Sequence, residues 1–493
     1  MSLEPLILTI DIGSTNCKVT LFQTDGTIIA REHLRHESLV LDGLSVEQDP
    51  ESWWASILSG VQNLGQRFPK QLQHIDAISV TGQMHGVVAV AEDGAAIGNC
   101  LTLRDRRSED EKRAILDALS EQEVYRITGA RLDASSPAAK IGWLRRHRPD
   151  SYKNSSRFLG VKDYVRMRLT GIAVTDPTEA AGTLLMDLST RQWSDEMIMA
   201  SGVDREKLPE ILSCTEVSGY LVAKAAEELG LRVGIPVVVG GGDDIEFLGK
   251  GLVRPGLVLE HIGTTGSIMA CTDRPLLDPE MGVELYPHVD PTLWLVGGST
   301  SSAGGALTWL REILGNISLD DLRVDGRDDD LLRPLVFLPY LVGERSPIWE
   351  PRARGALYGL TLSHSRADIL RAGLEGVACS LRSIMQTIID MGVSVDAIMT
   401  TSDDAESWAW AALRAGVYGK PLAQCKVADA TALGAMQLAA VGLGVYASVQ
   451  EAAAATVREE GRLAPDESLA GFYDDLYSDY MRISKHVLAL ARA

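Results

Sequence analysis

The sequence predicts an α/β protein, and three observations carry that prediction. Short β-branched runs alternate with long helical stretches along the chain. One run, 235–239, is apolar at every position, as in a strand covered on both faces. The 493 residues suffice, at roughly 150 per domain, for about three domains or two large ones.

Each element follows from local pattern. Leu6–Ile12 is rich in β-branched residues, 17–23 alternate, and 27–30 follow an Asp25-Gly26 turn, so the chain opens with three short strands. Between 49 and 68, Trp53, Trp54, Ile57, Leu58, Val61 and Leu64 recur at helical spacing on one side. Residues 75–81 form the next strand. A charged helix spans 106–119, and another begins at Pro137 and carries Ile141, Trp143 and Leu144. Near the C-terminus Phe472, Leu476, Tyr480, Ile483 and Val487 make a core-packing stripe rather than a cofactor box.

Composition narrows the function classes. Lys and Arg total 47 against 67 Asp and Glu, a net charge of −20, so the basic footprint of a nucleic-acid partner is missing. No run approaches the roughly 20 apolar residues of a membrane helix. The apolar run from Leu6 is cut at Asp11, unlike a signal peptide. Six cysteines are scattered without a CxxC pair, which suits reduced thiols in a cytoplasmic protein and argues against a disulfide framework or zinc site. These features leave an acidic cytoplasmic protein handling small molecules.

Asp11-Ile-Gly-Ser-Thr-Asn-Cys-Lys18 joins two predicted strands. Gly13 offers backbone freedom, Ser14, Thr15 and Asn16 offer donors, and Lys18 a positive charge, as a phosphate grip requires. Asp11 suits a water on Mg²⁺, an ion that keeps several waters beside phosphates. The same stretch reads also as a plain β-turn. Its form returns about half the chain later, where an apolar strand leads into Ile262-Gly-Thr-Thr-Gly, with Thr264 and Thr265 as hydroxyls and His261 in the place of Asp11. The echo reads either as two unrelated strand–turn units, which any large α/β protein contains, or as two similar domains, 1–245 and 246–493, each with a phosphate-gripping hairpin. Gly304 opens a helix after a strand, either as an anion site or as a glycine-rich cap.

Gly240-Gly-Gly-Asp243-Asp244 follows the buried run 235–239. Strand ends of parallel sheets face functional crevices. The glycines clear space for a ligand, Asp243 can accept a hydroxyl proton, and Asp244 fits a helix cap. Thr81-Gly-Gln-Met-His-Gly86 also ends a strand. Gln83 and His85 can hydrogen-bond a polyhydroxylated ligand and Met84 can line it. Arg104-Asp-Arg-Arg107 reads as a solvated charge run or as an arm reaching that pocket, and Gly343-Glu344-Arg345-Ser-Pro as a turn with a fixed charge pair.

With these pieces in order the chain resembles the FGGY family of carbohydrate kinases from Ile10 to about Gly444. The resemblance is carried by Asp11-Ile-Gly-Ser-Thr, Thr81-Gly-Gln-Met-His-Gly, Pro137-Ala-Ala-Lys-Ile-Gly-Trp-Leu, Gly240-Gly-Gly-Asp and Arg354-Gly-Ala-Leu-Tyr-Gly-Leu-Thr. It implies two actin-like, ribonuclease-H-like domains flanking a cleft for ATP, Mg²⁺ and a sugar. It implies Asp243 as general base in contact with sugar and metal, Asp11 near the metal, and Gln83, Met84 and His85 on the sugar. By the same resemblance Gly13, Ser14, Thr15, Lys18, Thr264, Thr265, Gly304 and Asp403 serve the nucleotide, and a homodimer is the expected assembly. Within the family, Thr81–Gly86 and 161–171 look like D-xylulose kinases, while Gly343-Glu-Arg-Ser-Pro-Ile-Trp looks as much like gluconate kinases. Near the adenine site, where the family carries Ser-Gly-Gly, this chain has Thr400-Thr-Ser-Asp403-Asp404-Ala405. The two carboxylates keep open a second reading, a sugar-binding protein that no longer phosphorylates.

Overall fold

The computed structural model describes residues 5–316, 335–400 and 408–492. The chain forms two compact units. The first gathers Met1–Val253, Tyr286–Trp294 and Val427–Val457, and the second Arg254–Leu285, Leu295–Lys426 and Arg458–Ala493.

The first unit is built on a sheet whose strands run in the order Val217–Tyr220, Pro236–Val238, Ile75–Gly82, Leu6–Ile12, Asn16–Gln23, Ile28–Arg35. Leu6–Ile12 pairs in parallel with Ile75–Gly82 and antiparallel with Asn16–Gln23. The Asp25-Gly26 turn forms as expected: the Asp25 carboxylate accepts the Thr27 amide at 2.8 Å, and Gly26 takes the left-handed φ of 91°. Strand periodicity then sorts the side chains. Leu8, Ile10 and Ile12 join a core with Trp53, Ile57, Val61 and Leu64 of helix Pro50–Arg67 and with Tyr164, Val165 and Leu169 of helix Val161–Thr170. Ile7 and Ala77 pack instead with Met436, Ala439 and Ala440 of helix Ala430–Gly442. Both faces are covered, which is why the strand is nearly continuous in apolar residues. Asp11 shares the face of Ile7 and so points toward the start of helix Ala430–Gly442.

Helix Pro50–Arg67 begins where its chemistry says it must. Asp49 accepts the Glu51 amide at 3.0 Å, and Pro50 occupies the first turn, where its missing N–H costs nothing. Each large apolar side chain it buries stabilises the unit by about 1.5–3 kcal/mol.

The second unit carries strands in the order Trp294–Thr300, Gly266–Thr272, Gly256–Ile262, Val395–Thr400, Leu422–Lys426, Arg458–Leu463. Gly256–Ile262 is antiparallel to Gly266–Thr272 and parallel to Val395–Thr400. That is the arrangement of the first three paired strands of the other unit, so the internal echo is a real repeat of topology. Helix Ala470–Arg492 buries Leu476 and Tyr480 of the expected stripe. Phe472, Ile483 and Val487 are half-buried, and Tyr473 and Ser484 take the other inward places. Among the described residues no helix is long and apolar enough to cross a membrane. All six cysteines are buried, and none is joined in a disulfide among the described residues.

Candidate active site

In the first unit Asp11 ends its strand opposite Lys18. The Lys18 ammonium lies 2.9 Å from Asp11 Oδ2 and 3.0 Å from Asp429 Oδ2, with Arg31 3.8 Å from the latter. Asp429 also caps helix Ala430–Gly442 by accepting the Ala432 amide at 3.1 Å. The charge of Lys18 is therefore divided between two carboxylates. Burial raises the pKa of Asp11, Lys18 opposes the shift, and Asp429 adds to it. Desolvation lowers that of Lys18, but the two carboxylates outweigh it and the net shift is upward.

Gly13 is needed for a different reason from the one expected. Its φ is not in the left-handed region. A Cβ there would sit 3.1 Å from Asn16 O, across a turn closed by Gly13 N donating to that oxygen at 2.9 Å. The Gly13 carbonyl accepts from His36 Nε2 at 2.9 Å and Gln83 Nε2 at 3.4 Å. Ser14 and Thr15 stand exposed at the tip.

Strand Ile75–Gly82 sets Thr81 beside Asp11 and Gly82 beside Ile12, so the following residues emerge next to the hairpin. Gln83 is buried, and its side-chain amide donates to Gln48 Oε1 at 2.7 Å. A ligand contact from Gln83 is left to Oε1. Met84 is wedged between two glycines: a Cβ on Gly182 or Gly242 would come within 2.8 or 2.6 Å of it. His85 holds a left-handed φ of 62°, uncommon outside glycine. The ammonium of fully buried Lys140 fixes it, donating to His85 O at 2.8 Å and Thr102 O at 2.6 Å. Burial pushes Lys140 down to about 7 against the pull of Cys100, Asp105 and Asp133. Burial and then Lys140 push His85 down to about 4, so its ring is neutral at pH 7 and can both donate and accept.

The three glycines after Pro236–Val238 each avoid a clash inside the protein. A Cβ would lie 2.2 Å from Val80 O at Gly240, 2.4 Å from Ile245 Cγ2 at Gly241, and 2.6 Å from Met84 Cγ at Gly242. The turn is thus glycine-rich because neighbouring elements press on it, not only to admit a ligand. Gly242→Ala should cost about 1–3 kcal/mol and displace Met84. The expected readout is a lower kcat together with a higher sugar KM, because the added methyl shifts both Met84 and the backbone leading into Asp243.

Asp243 opens the single turn Asp243–Ile245 and reaches solvent. Asp244 does not cap the next helix, whose caps, Gly242 and Ile245, make no side-chain bond. The Asp243 carboxyl is held well above the usual carboxylate range, first by desolvation and then by Asp244, Asp11 and Glu246. A carboxylate crowded by like charges is what a cation relieves. The donor set fits a hydrated divalent ion, since Asp11 is near enough to Asp243 to raise the cost of its charge and Asp243 is open to solvent. Among the described residues no group of three or more His, Cys, Asp or Glu could hold a metal alone, so water and phosphate would complete the coordination of Mg²⁺.

Under this turn lies a buried ionic cluster that sequence reading did not find. Lys162 Nζ is 2.5 Å from both Asp163 Oδ1 and Asp176 Oδ2, and Arg166 NH1 is 2.9 Å from Asp163. Arg166 also donates to Val239 O at 2.7 Å. Burial, opposed by Lys162 and reinforced by Asp163, Asp176 and Asp243, raises Glu179 well above its ordinary value. Lys162 and Arg166 thus face Asp163 and Asp176 within the cluster. The segment 161–171, a family marker in the sequence, is the foundation of the Asp243 turn.

In the second unit the Gly263 amide donates to Thr265 O at 2.8 Å, leaving Thr264 and Thr265 exposed. The helix starting at Gly304 does not present free amides to an anion. Gly304 N donates to Gly263 O at 2.9 Å, and Ala303 N and Gly305 N donate to Thr264 O at 3.0 Å. A Cβ on Gly304 would lie 2.5 Å from Gly263 O, so this glycine lets the helix press on the hairpin. Glu344 of the expected turn is held from inside the protein. It is buried and accepts from Thr300 Oγ1 and Ser301 N at 2.7 Å and from Arg345 N at 2.8 Å. Buried Glu260 pairs with Arg414 and Tyr418. Asp403 lies outside the described residues.

The run 104–107 is solvated only at Arg104 and Arg106. Asp105 is fully buried, and Arg107 is held by Asp105 at 2.6 Å and Glu47 at 3.0 Å while stacking on Trp143. Arg104 is exposed and makes no ion pair among the described residues.

The first unit therefore brings together Asp11, Gly13, Ser14, Thr15, Lys18, Gln83, Met84, His85 and Asp243, and the second brings Thr264, Thr265 and Gly304 together. Asp429, Gln48, Asp176 and Thr178 escaped sequence reading, and Lys140 entered it only as part of the motif at 137–144. Only the capping pattern Asp-Pro-Thr-Glu at 176–179 offered a signal.

Residues 6–247 match the N-terminal domain and 260–443 the C-terminal domain of the FGGY family of carbohydrate kinases. The chain is 30% identical to a xylulose kinase of Escherichia coli strain K12, over 98% of this chain and 99% of that one. It is 28% identical to a gluconokinase of Bacillus subtilis strain 168, over 97% and 95%. The crystal structure of xylulose kinase from Rhodospirillum rubrum superposes with a TM-score of 0.91 at 26% identity, covering 99% of this chain and all of that one.

Proposed function

This chain belongs to the FGGY family of carbohydrate kinases, and from that premise we propose that it transfers the γ-phosphoryl group of ATP to a primary hydroxyl of D-xylulose, giving the 5-phosphate. The observation that carries this reading is the packing of Met84 against Gly242, one residue before Asp243. It ties the sugar-recognising pair Met84 and His85 to a solvent-reaching carboxylate. In this reading Asp243 accepts the hydroxyl proton as the phosphoryl group arrives. Met84 gives an apolar wall, and neutral His85 and Gln83 Oε1 hydrogen-bond the sugar. The exposed tips at Ser14, Thr15, Thr264 and Thr265 hold phosphate oxygens, with Gly13 and Gly304 keeping the hairpins tight. Lys18 tempers the negative charge of Asp11. Asp11 and Asp243 would hold hydrated Mg²⁺, which when bound neutralises charge on the transferred group. Asp403 is proposed to flank the nucleotide. The enzyme is proposed to work in the cytoplasm as a homodimer, without membrane or nucleic-acid partners.

A neutral ketopentose is favoured because His85 is uncharged and Arg107 is spent on Asp105 and Glu47. Gluconate is the second reading, supported by the gluconokinase relative and by exposed Arg104, which could meet a carboxylate. Arg104→Ala separates them. With D-xylulose its kcat/KM is expected to match the parent. An acid substrate held by a charge-assisted hydrogen bond of about 1.5–3 kcal/mol would lose roughly tenfold or more.

ATP consumption across pentuloses, polyols and gluconate tests the whole reading. Selective turnover of D-xylulose is expected. Turnover of another sugar alone would overturn the sugar assignment, and absence of both turnover and ATP affinity would leave a sugar-binding protein.

A further inference from the structure

We infer that Thr178 is a positioning residue for phosphoryl transfer: its hydroxyl, fixed by Asp176, holds the Gly242 amide and thereby sets the direction of the Asp243 carboxylate. The inference rests on Asp243 as the proton acceptor.

Thr178 and Asp176 are both buried. A hydroxyl has one proton to give. Thr178 gives it to Asp176 Oδ1 at 2.5 Å, so toward the Gly242 N–H, 3.0 Å away, it can only accept. Asp176 cannot turn to release it. Its Oδ1 also accepts the amides of Thr178 at 2.9 Å and Glu179 at 3.3 Å, and its Oδ2 lies 2.5 Å from the Lys162 ammonium. The same cluster grips the other side of the turn, where Arg166 donates to Val239 O at 2.7 Å.

Gly240, Gly241 and Gly242 thus enter from anchored backbone, with Val239 O held by Arg166 and Gly240 N donating to Cys214 O at 3.0 Å, and leave through the Gly242 amide on Thr178. Three successive glycines have the least intrinsic preference for any one backbone path. Their direction must come from outside the turn. With the Gly242 amide released, the backbone leading into Asp243 gains freedom, while Met84 keeps its contact with Gly182 and the phosphate hairpins keep their own supports. The expected consequence falls on the chemical step rather than on binding, because misplacing a reacting group by about 1 Å can cost roughly 10²-fold in rate.

The test measures kcat and the two KM values on the full chain for the parent, Asp243→Asn, Thr178→Val and Thr178→Ser, with the sugar found to be turned over. Thr178→Val, nearly isosteric but without the hydroxyl, is expected to lose about 10²-fold in kcat with both KM values retained. Thr178→Ser, which keeps the hydroxyl, is expected to regain most of that loss. If Asp243→Asn is inactive while Thr178→Val turns over like the parent, the positioning role is overturned and the base role stands. Equal loss in the Val and Ser variants overturns it too, since the methyl group would then be what matters. Retained activity in Asp243→Asn overturns both readings. If circular dichroism shows that Thr178→Val does not fold, Thr178→Ala replaces it without added bulk, and the same criteria apply.

Discussion

Asp243→Asn is expected to slow phosphoryl transfer by roughly 10²–10⁴-fold, the usual contribution of a positioned proton acceptor. Asparagine keeps the shape of the side chain and its hydrogen-bonding reach but cannot take the hydroxyl proton. The turn itself does not depend on the carboxylate, since its path is set by the glycine contacts with Val80, Ile245 and Met84. Sugar affinity, read by calorimetry without nucleotide, is therefore expected to survive. Near-parent turnover would remove Asp243 from the base role. The neighbouring Asp244→Asn is the informative contrast, because Asp244 crowds Asp243 electrostatically without ending the glycine turn.

Lys162→Met is expected to cost about 3–5 kcal/mol of folding stability, the penalty for breaking a buried ion pair by removing one partner. Methionine fills the space of the methylene stem, so little of the loss comes from a cavity. It comes from leaving Asp163 and Asp176, both within 2.5 Å of the missing ammonium, without it in a fully buried cluster. A urea titration reads the change as a lower midpoint. The exposed pair Arg113 and Asp110, 3.6 Å apart, is the control, and Arg113→Ala should change stability by less than about 1 kcal/mol. A midpoint for Lys162→Met as close to the parent as that control would show that the cluster does not hold the Asp243 turn in place.

Much of the fold was legible from local pattern because its causes are local. The Asp25-Gly26 turn needs only a side chain that accepts an amide two residues on and a glycine that tolerates positive φ. Helix Pro50–Arg67 announces itself by Asp49, Pro50 and apolar spacing. Other readings were incomplete where a residue type has two uses. Glycines at 240–242 and 304 read as room for a ligand or an anion. They are there because Val80, Met84 and Gly263 come too close for any side chain. Arg107 reads as part of a solvated charge run or as an arm reaching the pocket, since nothing nearby in sequence says that Glu47 will enclose it.

By itself the sequence determined the α/β class, the two hairpins of like form, the family, and a short set of polar residues at strand ends. These follow from periods of two and 3.6 residues, turn chemistry and ordered motifs, all of which act over a few positions. Tertiary structure decided which of those polar residues are available. Lys18 meets Asp429 from 411 positions away, Gln83 meets Gln48 from 35, and Gly242 meets Thr178 from 64. Such partners are chosen by how strands and helices pack, because burying a charge or an amide is tolerable only where a partner already waits.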